Sequence, residues 1–113
     1  NGDYFYANIS GNIYNSQGNN MYSGSWGIEM LEYDNNSSTF FMAQGGSDYV
    51  WDSQGNTIYD SNGYSITDID IDEQTQRILI AGGSSINIID YNGSNHSVLE
   101  MRNASSYYIT FIE

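Results

Sequence analysis

The side chains of this chain that could do chemistry are its carboxylates, a single histidine and a heavy load of aromatic rings. Asp68, Asp70, Asp72 and Glu73 form the densest acidic group. The spacing Asp-x-Asp-x-Asp sets hard oxygens two residues apart, as in loops that wrap a calcium ion. Glu73 stands where such a loop needs glycine, however, and Leu79 where it needs a bidentate glutamate. The competing role is structural: Ile69 and Ile71 turn to a core while the aspartates line a solvated edge. Calcium on Asp68, Asp70 and Asp72 is therefore the one cofactor that the sequence puts forward, against a reading with none. Asp34 and Asp72 each precede a polar stretch and are expected to cap a hairpin, because an aspartate accepts from backbone amides two residues on.

His96 is the only histidine. A Ser/His/Asp hydrolase would need it beside a nucleophile and an orienting carboxylate. No Gly-x-Ser-x-Gly elbow is present, and the sequence around His96 reads as an inserted loop. No catalytic residue is assigned. The aromatics are the stronger lead: two Trp, eleven Tyr and four Phe in 113 residues. Trp51, Tyr14 and Phe41 read as core. Trp26, Tyr64, Tyr107 and Tyr108 fall between predicted structural units, with Tyr22 nearby. Flat rings bordered by Asn, Asp and Ser suit either sugar stacking or the wedging of one unit against the next. Asn8, Asn35, Asn36, Asn92, Asn95 and Asn103 each open an Asn-x-Ser/Thr acceptor sequence, so glycans are a further candidate for this surface.

The elements that must position these groups emerge from an internal repeat. Residues 28–47 lie over residues 66–85 at an offset of 38 without a gap. Ile28 meets Ile66, Leu31 meets Ile69, Tyr33 meets Ile71, Asp34 meets Asp72 and Ala43 meets Ala81. The register continues through Val50-Trp51-Asp52 over Ile88-Ile89-Asp90, and through Gly55 over Gly93. A partial earlier copy holds Tyr4-Phe5-Tyr6-Ala7 and Tyr14-Asn15-Ser16-Gln17-Gly18-Asn19. Tyr108 to Glu113 looks like the opening of a further one. Each copy reads as four short strands. The first shows period-2 apolar positions, the second is a continuous apolar run, and Asn, Asp and Gly punctuate the turns. A helical period appears nowhere over a useful length. The expected fold is all-β, one repeat domain: a partial unit over 1–26, complete units over 27–64 and 65–106, and an opening strand over 107–113.

Four antiparallel strands in about 40 residues describes the blade of a β-propeller. The apolar triplet, Ala, Gly-Gly-Ser, then hydrophobic-x-hydrophobic-Asp and a Gly turn resembles blades of the WD40 and NHL types. Val50-Trp51-Asp52 stands where a WD40 blade closes its third strand on Trp-Asp. No Gly-His pair opens the copies, and the turn between second and third strands is shorter than WD40 repeats use. The resemblance therefore reaches the architecture and not a subfamily. It implies either part of a longer propeller or a ring completed by several chains. It also implies a non-catalytic binding or scaffold module, with a sugar-binding propeller and a propeller glycosidase using Asp or Glu as alternatives.

Charge and composition narrow the partners. Fourteen Asp and Glu face two Arg and no Lys, for a net charge of −12. Nothing here neutralises phosphates, so nucleic acid and anionic membrane surfaces are excluded as expected partners. A protein partner, self-assembly or a glycan remains. No run approaches eighteen apolar residues, so no membrane insertion is expected. The absence of Cys removes disulfide and thiolate chemistry. Asn1-Gly2 does not read as a signal peptide, and the missing initiator Met reads as a processed chain. Zero Lys and the acceptor sequences tip the expected setting toward an extracellular or cell-surface one.

Overall fold

The computed structural model describes residues 4–83 and 85–100, and within them every regular element is a strand. Eleven strands run in chain order: β1 (Phe5–Ala7), β2 (Asn12–Asn15), β3 (Asn20–Ser23), β4 (Met30–Asp34), β5 (Thr39–Ala43), β6 (Tyr49–Asp52), β7 (Thr57–Asp60), β8 (Ile66–Asp72), β9 (Arg77–Gly82), β10 (Ser85–Asp90) and β11 (Asn95–Glu100). They form three antiparallel meanders. The first sheet is β1-β2-β3, the second β4-β5-β6-β7 and the third β8-β9-β10-β11. The all-β expectation thus holds, and strands fall where the apolar runs place them. Among the described residues the sheets stand in an open row, the second sharing one core with the first and another with the third.

Side-chain alternation explains that row, since neighbouring residues of a strand point to opposite faces. In the second sheet Phe40, Met42 and Trp51 join Leu31 and Tyr33 on one face, packing against Phe5, Ala7 and Ile13 of the first sheet. Phe41, Ala43 and Val50 take the other face and meet Ile66, Ile69, Ile78, Ile80 and Ile89 of the third. With both faces covered, every residue of β5 is buried, which is why it reads as a continuous apolar run.

The backbone keeps the same spacing. Each sheet has a register shift between its last two strands: at Ile13/Tyr14, Val50/Trp51 and Ile88/Ile89. Ser38 and Gln76, 38 residues apart, both take left-handed φ values, 54° and 56°. The capping expectation holds as well. Asp34 Oδ1 accepts from the Asn36 amide at 2.8 Å, and Asp72 Oδ1 from the Gln74 amide at 3.1 Å. Ser37 and Thr75 hydroxyls add a bond to the second oxygen of each carboxylate.

Candidate functional site

In a meander, alternate turns fall at opposite ends of the sheet. One end of this molecule collects residues 8–11, 24–29, 44–48 and 61–65. It is tied across sheets by the Ile28 amide donating to the Asn8 carbonyl (3.2 Å) and the Ile66 amide to the Ser47 carbonyl (3.0 Å). The other end collects the polar turns 16–19, 35–38, 53–56, 73–76 and 91–94.

The two ends differ in chemistry. Ile9, Trp26, Tyr49 and Tyr64 are large apolar residues exposed at or beside the first end, Trp26 at 53% and Tyr64 at 61%. Trp26 and Tyr64 are the same repeat position, and each is held by its own connection. The Gly24 amide donates to the Gly11 carbonyl at 2.9 Å. A Cβ on Gly11 would lie 2.6 Å from the Trp26 carbonyl oxygen, so only glycine lets that strand pass beneath the loop. The Trp26 ring then stacks on Tyr49 (centroids 6.3 Å, 25°) and meets Trp51 edge-on (5.3 Å, 87°). Ser61 takes the corresponding task at Tyr64: its hydroxyl accepts from the Tyr64 amide at 3.1 Å and donates to the Tyr64 carbonyl. The Tyr64 ring lies against Gly83, where a Cβ would sit 2.9 Å from Cδ1.

Two hollows open beside these rings. A cavity of about 230 Å³ between the first and second sheets is lined by Tyr22, Gly24, Ser25, Trp26, Trp51, Gly55 and Thr57. It offers three aromatic walls and the hydroxyls of Tyr22, Ser25 and Thr57. A cavity of about 360 Å³ between the second and third sheets is lined by Glu29 and Asp68 with Gly45, Gly46 and Ser65. Glu29 Oε1 there accepts the Gly45 amide at 2.9 Å, so part of that carboxylate is committed to holding a turn.

The other end carries the structural carboxylates. Asp34 is fully buried. Burial pushes its carboxyl up, but the Asn36 amide, the Glu73 side chain and the Ser37 hydroxyl and amide outweigh it and hold the pKa below its ordinary value. Glu73 Oε1 accepts the Asn35 amide at 2.8 Å, a bond between residues one full repeat apart. Burial, with the negative charge of Asp34 next, pushes the Tyr91 hydroxyl up. The Tyr91 ring closes on Phe41 at 4.6 Å.

Asp68, Asp70 and Asp72 alternate along β8 and share its face, opposite Ala81, Leu79 and Arg77 of β9. Asp68 and Asp70 each turn an oxygen back to the next amide, and Asp72 is spent on its cap. Among the described residues no group of three or more acidic, His or Cys side chains is arranged to hold a metal ion. Of the acceptor asparagines, Asn35, Asn36, Asn92 and Asn95 are exposed at the polar end. Asn8 is half-buried at the aromatic end, its Oδ1 taken by the Ser10 and Asn12 amides at 3.0 and 3.1 Å. Asn103, Tyr107, Tyr108 and the opening strand over 107–113 lie outside the described residues.

Two expectations need correction. His96 sits on β11 and not in an inserted loop, because the longer third unit extends its last strand pair to six residues apiece. It is exposed, with Nδ1 3.2 Å from Ser97 Oγ. Tyr14 is half-buried rather than core, stacked on Tyr6 at 5.4 Å on the open face of the first sheet. Tyr49 was missed as a surface aromatic: it stands two residues before the buried Trp51, and only its place at the exposed start of β6 leaves it uncovered. No helix among the described residues is long and apolar enough to cross a membrane.

No protein-family model matches the chain, and comparison with curated proteins finds no match.

Proposed function

We propose that the chain is a run of β-propeller-type blades that serves as a non-catalytic binding or scaffold module. One observation carries this: three successive meanders pack face on face through positions that recur every 36 to 38 residues. Packed sheets of this kind hold the turns at their ends rigidly, and preorganised surface loops bind without paying ordering entropy on contact. The aromatic end, with Trp26, Tyr49 and Tyr64 set among Glu29, Asp48, Asp60 and Asp68, is the display face for a protein partner. The acidic surroundings favour a partner with a basic patch, through complementarity that steers encounter.

A second reading has its own observation. The cavity walled by Tyr22, Trp26 and Trp51 has the flat apolar faces and nearby hydroxyls that a sugar ring uses, so a carbohydrate ligand fits there. The immobilised chain, probed in parallel against protein, peptide and glycan arrays, separates the two. Protein binding that falls at least tenfold in Trp26→Ala supports the scaffold. Binding confined to glycans, with quenched Trp fluorescence, replaces it with the sugar reading. Hydrolysis of a glycoside substrate that vanishes in Glu29→Gln with Asp68→Asn would sink the non-catalytic proposal altogether.

A further inference from the structure

The third sheet turns Leu79, Ala81, Ile86, Ile88 and Leu99 to the face away from the second sheet, beside Asp68, Asp70 and Asp72, which pair with Ala81, Leu79 and Arg77 on that face. Leu79, Ala81 and Ile88 are the repeat equivalents of Phe41, Ala43 and Val50. In the second sheet those three are sealed, at 2%, 0% and 0% exposure, by the sheet that follows. In the third sheet Ala81 is likewise buried, but Leu79, Ile86 and Ile88 are only half-buried and Leu99 is 55% exposed.

The opposite end of the row has the complementary surface. Tyr4, Tyr6 and Tyr14 of the first sheet are the equivalents of Phe40, Met42 and Trp51, which the preceding sheet buries. Here Tyr4 is 73% and Tyr6 52% exposed. The chain thus contains, in its own two internal junctions, the pattern by which its two outer faces would be covered. A face of the Phe41 type always receives a face of the Phe40 type.

Resting on the blade reading, we propose that the outer face of the third sheet receives the first sheet of a second copy, head to tail. A heterologous contact of this sort closes into a ring when its rotation permits and otherwise extends into a filament. The contact brings two chains of net charge −12 together, so salt strengthens it by screening their repulsion.

Sedimentation of the full chain across concentration tests this. The expected result is an average mass that rises above one chain with concentration and rises further with added salt. Ile88→Asp disables one face and Tyr6→Asp the other. Each variant alone loses all species above the monomer, because every contact needs one face of each kind. Mixing the two restores a 1:1 dimer through the faces left intact. A wild-type chain that stays monomeric, or an Ile88→Asp variant that still dimerises with itself, overturns the proposal. Unchanged far-ultraviolet circular dichroism shows that each variant still folds. Hydrogen exchange separates a failed contact from a failed blade reading. Slow exchange of β5 amides in a monomeric chain leaves the stacked sheets standing and rejects only self-assembly. Fast exchange there rejects the stacking itself.

Discussion

The junction between the first and second sheets and that between the second and third use equivalent positions but different materials. The first is aromatic. Phe5 packs on Tyr33 (4.6 Å) and edge-on to Phe40 (5.0 Å), and Trp26 leans on Trp51. The second is mainly isoleucine around Phe41, closed at the polar end by Asp34, Glu73 and Tyr91. The difference teaches that spacing decides where the sheets meet, whereas side-chain type decides what lines the hollows left between them. The aromatic junction opens a cavity of about 230 Å³ walled by Tyr22, Trp26 and Trp51. The aliphatic junction opens one of about 360 Å³ at its edge, lined by Glu29, Asp68 and the turn glycines Gly45 and Gly46.

The largest effect that can break this comparison is a truncation at one repeat position in each junction. Phe41→Ala removes a ring that is 2% exposed in the aliphatic junction. It is expected to cost about 3–5 kcal/mol, near the whole stability of a small domain. Phe5→Ala removes the equivalent ring from the half-buried aromatic junction, where about 1–2 kcal/mol is expected. Urea midpoints at unchanged m-value measure both. Equal losses would mean that the two junctions are equally tight.

Much of this was legible in the one-dimensional pattern. The 38-residue offset located the strands, the continuous apolar run of Phe40 to Ala43 marked a strand covered on both sides, and Asp34 and Asp72 announced their caps. What stayed hidden depends on neighbours in space. Asp34 and Asp72 look alike in sequence, yet one is sealed by Glu73 and Tyr91 of the next sheet and the other is exposed. Tyr14 has a core residue's spacing and a surface residue's environment, since spacing reports which face a side chain takes and not whether that face is covered. Trp26 was visible as a junction aromatic, but the cavity beside it needs the approach of β3 to Trp51 and Thr57, which no spacing encodes.

The aspartate pair sharpens the comparison at a smaller magnitude. Asp34→Asn breaks a buried, charge-assisted network and is expected to cost about 1–3 kcal/mol near neutral pH. Asp72→Asn acts at an exposed cap and is expected to stay within about 0.5 kcal/mol. The pH dependence has a definite sign. The folded Asp34 pKa lies below its ordinary 3.8, so its contribution is complete above that value and is lost as pH falls through the folded pKa. The gap in melting temperature between wild type and Asp34→Asn therefore narrows as the pH drops below about 4. A gap that held constant to the acid limit would show that the ionised carboxylate is not what Asp34 supplies.

The smallest effect probes the hollow directly. Gly55 and Gly93 occupy the same turn position in successive sheets with φ of 91° and 93°, so replacement by alanine strains both alike, by about 1–2 kcal/mol. Their surroundings differ. A Cβ on Gly93 would lie 3.2 Å from the Ile58 carbonyl oxygen, whereas one on Gly55 would meet nothing within 4 Å. Gly93→Ala should therefore be the more destabilising by up to about 1 kcal/mol, the backbone having to yield a few tenths of an ångström at a packed contact. Gly55 lines the aromatic cavity, and its new methyl would project into open space. If that space binds a ligand against Trp26, Gly55→Ala weakens binding while costing less stability than Gly93→Ala does. Identical midpoints for the two variants would show that the contact of Gly93 with the Ile58 carbonyl is no tighter than the open space beside Gly55.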